Sequence, residues 1–201
     1  MIKVCGLRDC KNIEEVDQLG VDLLGFIYYD KSPRNVPQSV VLPCSKAKKV
    51  GVFVNEESGK ILDVAKRNDL SYVQLHGNEQ LDQIIDLKYS GLNVIKAISI
   101  ASKLDLEQAR VFDGVADIIL LDTKGSKEGG NGVKFDWRII DYYNLDCPFM
   151  LSGGIGVSDA ELVRGIKHPK FLGVDINSRF EIEPAIKDVI KIKKFINKII
   201  K

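Results

Sequence analysis

Histidine is scarce in this chain. His76 and His168 are the only two among 201 residues, which excludes a histidine-rich metal centre. Cysteine is sparse as well. Cys5, Cys10, Cys44 and Cys147 are scattered, with neither the paired spacing of a zinc site nor the density of a disulfide framework, so a reduced, cytoplasmic setting is the simplest reading. Neither charge sign dominates: 29 basic and 28 acidic residues give a formal net charge of +1, and bulk electrostatics offer no case for a nucleic-acid or membrane partner. No apolar run approaches a membrane span, and Met1 leads straight into a strand-like segment, so no signal peptide is expected. With no low-complexity stretch and no linker, residues 1–201 read as one domain.

What the chain does have is a repeating pattern. Eight short apolar runs, Ile2–Val4, Leu23–Tyr29, Val50–Val54, Tyr72–Leu75, Val94–Ile100, Ile118–Leu121, Phe149–Leu151 and Phe171–Ile176, recur at intervals of about one strand plus one helix. Runs this short and this rich in Val, Ile and Leu fit strands buried on both faces, as in a parallel sheet. Most of the intervening segments read as helices. Asp9 is placed to cap one carrying Ile13, Val16 and Leu19, with Gly20 as its stop; Ile61, Val64 and Ala65 mark a second, and Ile84, Ile85 and Leu87 a third. Asp136 opens a stripe of Trp137, Ile140 and Tyr143. Pro184 is placed at the start of a last helix bearing Ile186, Val189, Ile192, Ile196 and Ile199. The pattern is faintest after Pro37 and around Leu104–Phe112. An open doubly wound sheet also alternates strands and helices, but it usually carries five or six strands. The expected architecture is therefore α/β, a single-domain (β/α)8 TIM barrel, for which 201 residues is near the lower size limit.

The residues just past the runs are the chemically useful ones, and a barrel gathers them on one face. Ser152-Gly153-Gly154-Ile155-Gly156 follows the seventh run and Asn177-Ser178 the eighth. Glycines let the backbone approach an anion and aim its N–H groups at it, and a short helix opening after Asn177 would face the same anion. The plainer reading is a tight strand-to-helix turn. Cys5 and Asp122 close the first and sixth runs. A thiol and a carboxylate across a barrel mouth can move two protons on opposite sides of one substrate, although a lone cysteine is more often a small buried residue. Lys31-Ser32-Pro33-Arg34 offers a guanidinium fork suited to a carboxylate, or simply a solvated basic turn. His76 is as readily structural as catalytic. Gly129-Gly130-Asn131-Gly132 is dense enough in glycine for a lid, and no Gly-Lys-Ser/Thr follows to make it a P-loop.

Taken together, the pieces resemble the phosphoribosylanthranilate isomerase family of tryptophan biosynthesis. The matching segments span the chain: Lys3-Val4-Cys5-Gly6-Leu7, Gly25-Phe26 with Lys31-Ser32-Pro33-Arg34, Val50-Gly51-Val52-Phe53-Val54, Val73-Gln74-Leu75-His76-Gly77, Leu120-Leu121-Asp122-Thr123, Gly132-Val133-Lys134-Phe135-Asp136-Trp137, Leu151-Ser152-Gly153-Gly154 and Gly173-Val174-Asp175. The resemblance implies a cofactor-free Amadori rearrangement of N-(5-phosphoribosyl)anthranilate to 1-(2-carboxyphenylamino)-1-deoxyribulose 5-phosphate. It implies Asp122 as general acid at the furanose ring oxygen and Cys5 as general base at C2′. Arg34 would hold the anthranilate carboxylate, His76 and Asp175 would line the pocket, and backbone N–H groups around Gly153, Gly154, Asn177 and Ser178 would take the phosphate. The implied partner is a small phosphoribosyl substrate, with no nucleic acid and no membrane, and the chain would act as a monomer or homodimer.

Three positions depart from the family pattern: Asn131 where Thr is frequent, and Arg179 and Ala185 where Gly is common. By strand alternation Lys3 faces the same side as Cys5, and its ammonium is expected to favour the thiolate, so that activity rises with pH as Cys5 ionises. The alternative is that Lys3 only caps the barrel's lower layer. Other phosphosugar barrels fit less well. A pentose-phosphate epimerase needs metal-binding histidines, and the histidine-pathway isomerases place aspartates where Cys5, Ser99 and Ser102 stand. A non-catalytic phosphoribosyl binder would have no need of both Cys5 and Asp122.

Overall fold

The structure is a computed structural model that describes residues 1–37, 39–123 and 136–200. Eight parallel strands close into a barrel in sequence order: β1 (Ile2–Cys5), β2 (Leu23–Ile27), β3 (Lys48–Phe53), β4 (Tyr72–Leu75), β5 (Asn93–Ile100), β6 (Ile118–Thr123), β7 (Phe149–Leu151) and β8 (Phe171–Ile176). Each falls on one of the apolar runs. The side-chain period of two then sorts the residues into two cores. Leu23, Val50, Ile95, Ile118, Leu120 and Met150 fill the barrel interior. Their neighbours Val4, Leu24, Val73, Val94 and Ile119 point outward and pack beneath the covering segments. The β1–β8 seam places Lys3 directly opposite Asp175, which sets a charged pair inside the barrel.

Three of the expected helices form as their sequences suggest. Helix α1 (Cys10–Asp17) opens where the Asp9 carboxylate accepts from the Asn12 amide at 2.8 Å, and buries Ile13 and Val16. Helix α2 (Ser58–Asn68) buries Ile61, Val64 and Ala65, and α3 (Leu81–Tyr89) buries Ile84 and Leu87. Two short helices, α4 (Leu106–Arg110) and α5 (Ala160–Gly165), follow β5 and β7. Among the described residues no helix is long and apolar enough to cross a membrane.

Elsewhere the pattern misleads. Among the described residues, none between β2 and β3 is helical. Pro33, Pro37 and Pro43 remove a backbone donor every few residues there. Val36 instead donates its amide to Ile27 at 2.7 Å, and Leu42 to the Asn68 side chain at 2.9 Å. The Trp137 stripe forms a 3₁₀ turn over Trp137–Tyr142, capped by Asp136 through Arg138 N.

The final helix, α6 (Val189–Ile200), starts later than its apolar spacing suggests. Ile186 belongs to strand β10 (Ile186–Lys187), which pairs antiparallel with β9 (Glu181–Glu183). Pro184 therefore sits in the turn of a ribbon, not at a helix start. Ala185 follows at φ +72°, the conformation a type II turn asks of the residue after its proline and the reason glycine suits that place. This ribbon sets Glu181 and Lys187 side by side.

Candidate active site

At the carboxyl ends of the strands lies a cavity of about 690 Å³, and every residue to which the resemblance gave a part in catalysis or substrate binding lines it. Cys5, Asp122 and Asp175 come from strand ends, His76 from the residue after β4, and the rest from the loops after β2, β7 and β8. The stretch 129–132 lies outside the described residues.

The floor of the cavity is a buried polar layer. Lys3 is fully buried and donates to Asp175 Oδ2 at 2.7 Å and to Gln74 Oε1 at 2.8 Å. Burial disfavours the ammonium, but Asp175 and Cys5 outweigh it and hold Lys3 charged. Asp175 Oδ1 is buried and has no hydrogen-bond partner among the described residues. A buried carboxylate oxygen keeps an open accepting capacity there.

The Cys5 thiol stands beside this layer, 4% exposed. A Cβ at Gly25 would lie 2.8 Å from the Cys5 sulfur, so only glycine leaves the thiol its room. Desolvation pushes the thiol pKa up, Lys3 pulls against it, and desolvation wins. The expected thiolate-favouring role of Lys3 is thus real in sign and too weak in size. Asp122 behaves in the opposite way. Burial would raise its pKa, but hydrogen bonds from His76, Ser152 and the Thr123 amide more than offset it and hold the carboxyl below the usual range. His76 Nε2 lies 3.2 Å from Asp122 Oδ2, and the Thr123 amide 3.0 Å from Oδ1.

Arg34 reaches the wall but does not present a free fork. Its Nε and one terminal nitrogen bind Glu181 at 2.8 and 2.6 Å. Glu181 also accepts from Lys187 Nζ at 2.6 Å, and Lys187 gives a second bond to Asn177 Oδ1 at 2.6 Å. One carboxylate between two cations leaves this cluster with a net positive charge. It also ties the Arg34 loop to the Asn177 loop, and both line the same cavity. Glu181 and Lys187 are partners of the cavity residues Arg34 and Asn177 that the sequence pattern missed: their placement comes from the ribbon, which the helical spacing of Ile186 disguised.

The two loops after the paired strands β7 and β8 lie side by side. Gly153 and Gly154 take positive φ, +89° and +63°. Asn177 precedes a single 3₁₀ turn, Ser178–Phe180, as the sequence suggested for an anion-facing helix start. Arg179, one of the three departures from the family pattern, also lines the cavity.

A family model described as N-(5′-phosphoribosyl)anthranilate (PRA) isomerase matches residues 2–198. The chain belongs to this family. It is 43% identical to the N-(5′-phosphoribosyl)anthranilate isomerase of Parabacteroides distasonis, over all of this chain and 93% of that protein. Among solved structures it is similar to the phosphoribosyl anthranilate isomerase of Thermotoga maritima, with a TM-score of 0.83 at 36% identity over 98% of this chain and 97% of that one. Another solved isomerase, 33% identical with a TM-score of 0.81 over the same shares, holds reduced 1-(o-carboxyphenylamino)-1-deoxyribulose 5-phosphate. The chain is thus an isomerase of tryptophan biosynthesis, rearranging N-(5-phosphoribosyl)anthranilate to the deoxyribulose phosphate.

Proposed function

We propose that Asp122 and Cys5 carry out this rearrangement as an acid–base pair. The observation that carries the reading is their placement: a thiol and a carboxylate line one cavity, together with Arg34 of a cationic cluster and the loops that follow β7 and β8. The ligand of the related isomerase has a carboxylate on its aryl ring and a phosphate on its sugar. A substrate of that shape spans the cavity with an anion at each end.

Asp122 gives its proton to the furanose ring oxygen, the C1′–O bond breaks toward that oxygen, and the nitrogen lone pair forms the iminium. Cys5 thiolate then takes the C2′ proton, and the C–H electrons form the enolamine as the iminium nitrogen regains its pair. Tautomerisation of the enolamine yields the ketone. The donors around Asp122 suit this role, because they strengthen as the carboxylate forms. Asp175 Oδ1 is the acceptor for a sugar hydroxyl. Main-chain N–H groups around Gly154 and Ser178 take the phosphate.

The test is conversion of N-(5-phosphoribosyl)anthranilate by purified protein, followed as loss of substrate fluorescence; no conversion overturns the reading. Two variants report on the ends. Gly154→Leu forces a side chain to φ +63°, so binding of any phosphorylated ligand should weaken while the barrel stays folded. Product binding as tight as in the unaltered protein would place the phosphate elsewhere. Arg34→Ala loses a charged hydrogen bond worth about 1.5–3 kcal/mol, or about one to two decades in kcat/KM. Arg34→Lys should recover only part, since an ammonium cannot both hold Glu181 in two-point contact and reach the substrate. Unchanged kinetics in Arg34→Ala would reduce the arginine to a tether for Glu181.

A further inference from the structure

The buried layer contains a hydrogen-bond chain whose direction is fixed by chemistry. Lys3 Nζ has only protons to give, so the Gln74 atom 2.8 Å away must be the amide oxygen. The other arm of that amide, Nε2, can only donate, and it lies 2.8 Å from His76 Nδ1. His76 Nδ1 must therefore be the bare, accepting nitrogen. The proton of the ring is left on Nε2, facing Asp122 Oδ2 at 3.2 Å. Gln74 is 1% exposed and cannot turn its amide over without setting donor against donor at Lys3 and oxygen against the bare nitrogen at His76.

We propose that Gln74 is a positioning residue for the reaction: it fixes the tautomer of His76, so that a hydrogen-bond donor always faces Asp122. The proposal rests on the reading of Asp122 as the general acid. A donor at Oδ2 stabilises the carboxylate that appears when Asp122 releases its proton. The opposite tautomer would present a bare Nε2 to that carboxylate and oppose the transfer. The same order of donors places the charge of Lys3, through Gln74, behind the ring.

The experiment is ¹⁵N NMR of the labelled enzyme, in which the only other histidine is His168 and the His76→Asn spectrum assigns the pair. His76 should show a pyridine-like Nδ1 and a protonated Nε2. Gln74→Glu places an acceptor opposite Nδ1, which should then gain a proton. Turnover should fall by about tenfold or more, part of the contribution of about 10²–10⁴ typical of a positioned acid, with KM held within about twofold. Gln74→Met should give mixed tautomers and an intermediate loss. A protonated Nδ1 in the unaltered enzyme overturns the proposal even if neither variant folds, and leaves the role of Asp122 intact. So does full turnover in a Gln74→Glu enzyme whose His76 carries its one proton on Nδ1 and leaves Nε2 bare. Full turnover in Asp122→Asn instead removes the acid, and with it the purpose of the chain, whatever tautomer is seen.

Discussion

Cys5→Ala is expected to lower turnover by about 10²–10⁴-fold, the contribution of one well-placed base, while the protein remains folded. The structural side of the change is small, since the thiol touches Gly25 and the polar layer, and alanine fills most of its volume. Cys5→Ser tests the chemistry more narrowly. It keeps the shape, but a hydroxyl is a far weaker acid than a thiol, and burial that already raises the Cys5 pKa would make an alkoxide less accessible still. The serine variant should therefore lose most activity too. Steady-state kinetics beside a thermal melt decides the matter. A folded Cys5→Ala enzyme with near-normal turnover would return Cys5 to packing and end the proposed mechanism.

Strand positions were easy to read because a strand buried on both faces leaves an unbroken apolar run, and all eight runs became barrel strands. The ends of those runs then named the cavity, since parallel strands in a closed barrel send all their carboxyl ends to one face. The errors have a common cause. Ile186 sits at helical spacing from Val189 and Ile192, yet Pro184 and Ala185 make a turn, and the pairing of β9 with β10 overrides the local period. Neither Glu181 nor Lys187 stands at the end of a barrel strand, so nothing in the linear pattern joined them to Arg34 or Asn177. Gln74 is a different case. It stood in a quoted motif, but its direction-setting role exists only because β1 and β4 place Lys3 and His76 on either side of it. Lys3 was correctly put on the side of Cys5, and only the balance of forces was misjudged: loss of water around a buried thiol exceeds the pull of a neighbouring cation that Asp175 already engages.

Asp122→Asn should likewise fall by about 10²–10⁴-fold, and its residual activity should rise with pH where that of the unaltered enzyme is level. In the resting enzyme near neutrality Asp122, with its lowered pKa, is ionised, and Cys5, with its raised pKa, is protonated. Catalysis needs the reverse, a proton on Asp122 and none on Cys5. Both arrangements hold the same number of protons, so the competent fraction does not change with pH between the two pKa values. For the unaltered enzyme kcat/KM should therefore be flat through neutrality, in place of the rise expected from Cys5 ionisation alone. It should decline on the acid side, where Asp122 gains a proton and Cys5 keeps its own. It should decline again on the alkaline side, where Cys5 loses its proton with Asp122 still bare. Removing the acid leaves only the thiolate requirement, so Asp122→Asn should gain about tenfold per pH unit until Cys5 is ionised. Removing the base leaves only the protonated carboxyl, and the residue of activity in Cys5→Ala should lose about tenfold per unit over the same range. Opposite slopes in the two variants around a level parent profile are the signature of an acid and a base with crossed protonation states. Parallel slopes, or a parent profile that climbs steadily with pH, would mean that Asp122 does not deliver the proton and that the thiol alone governs the rate.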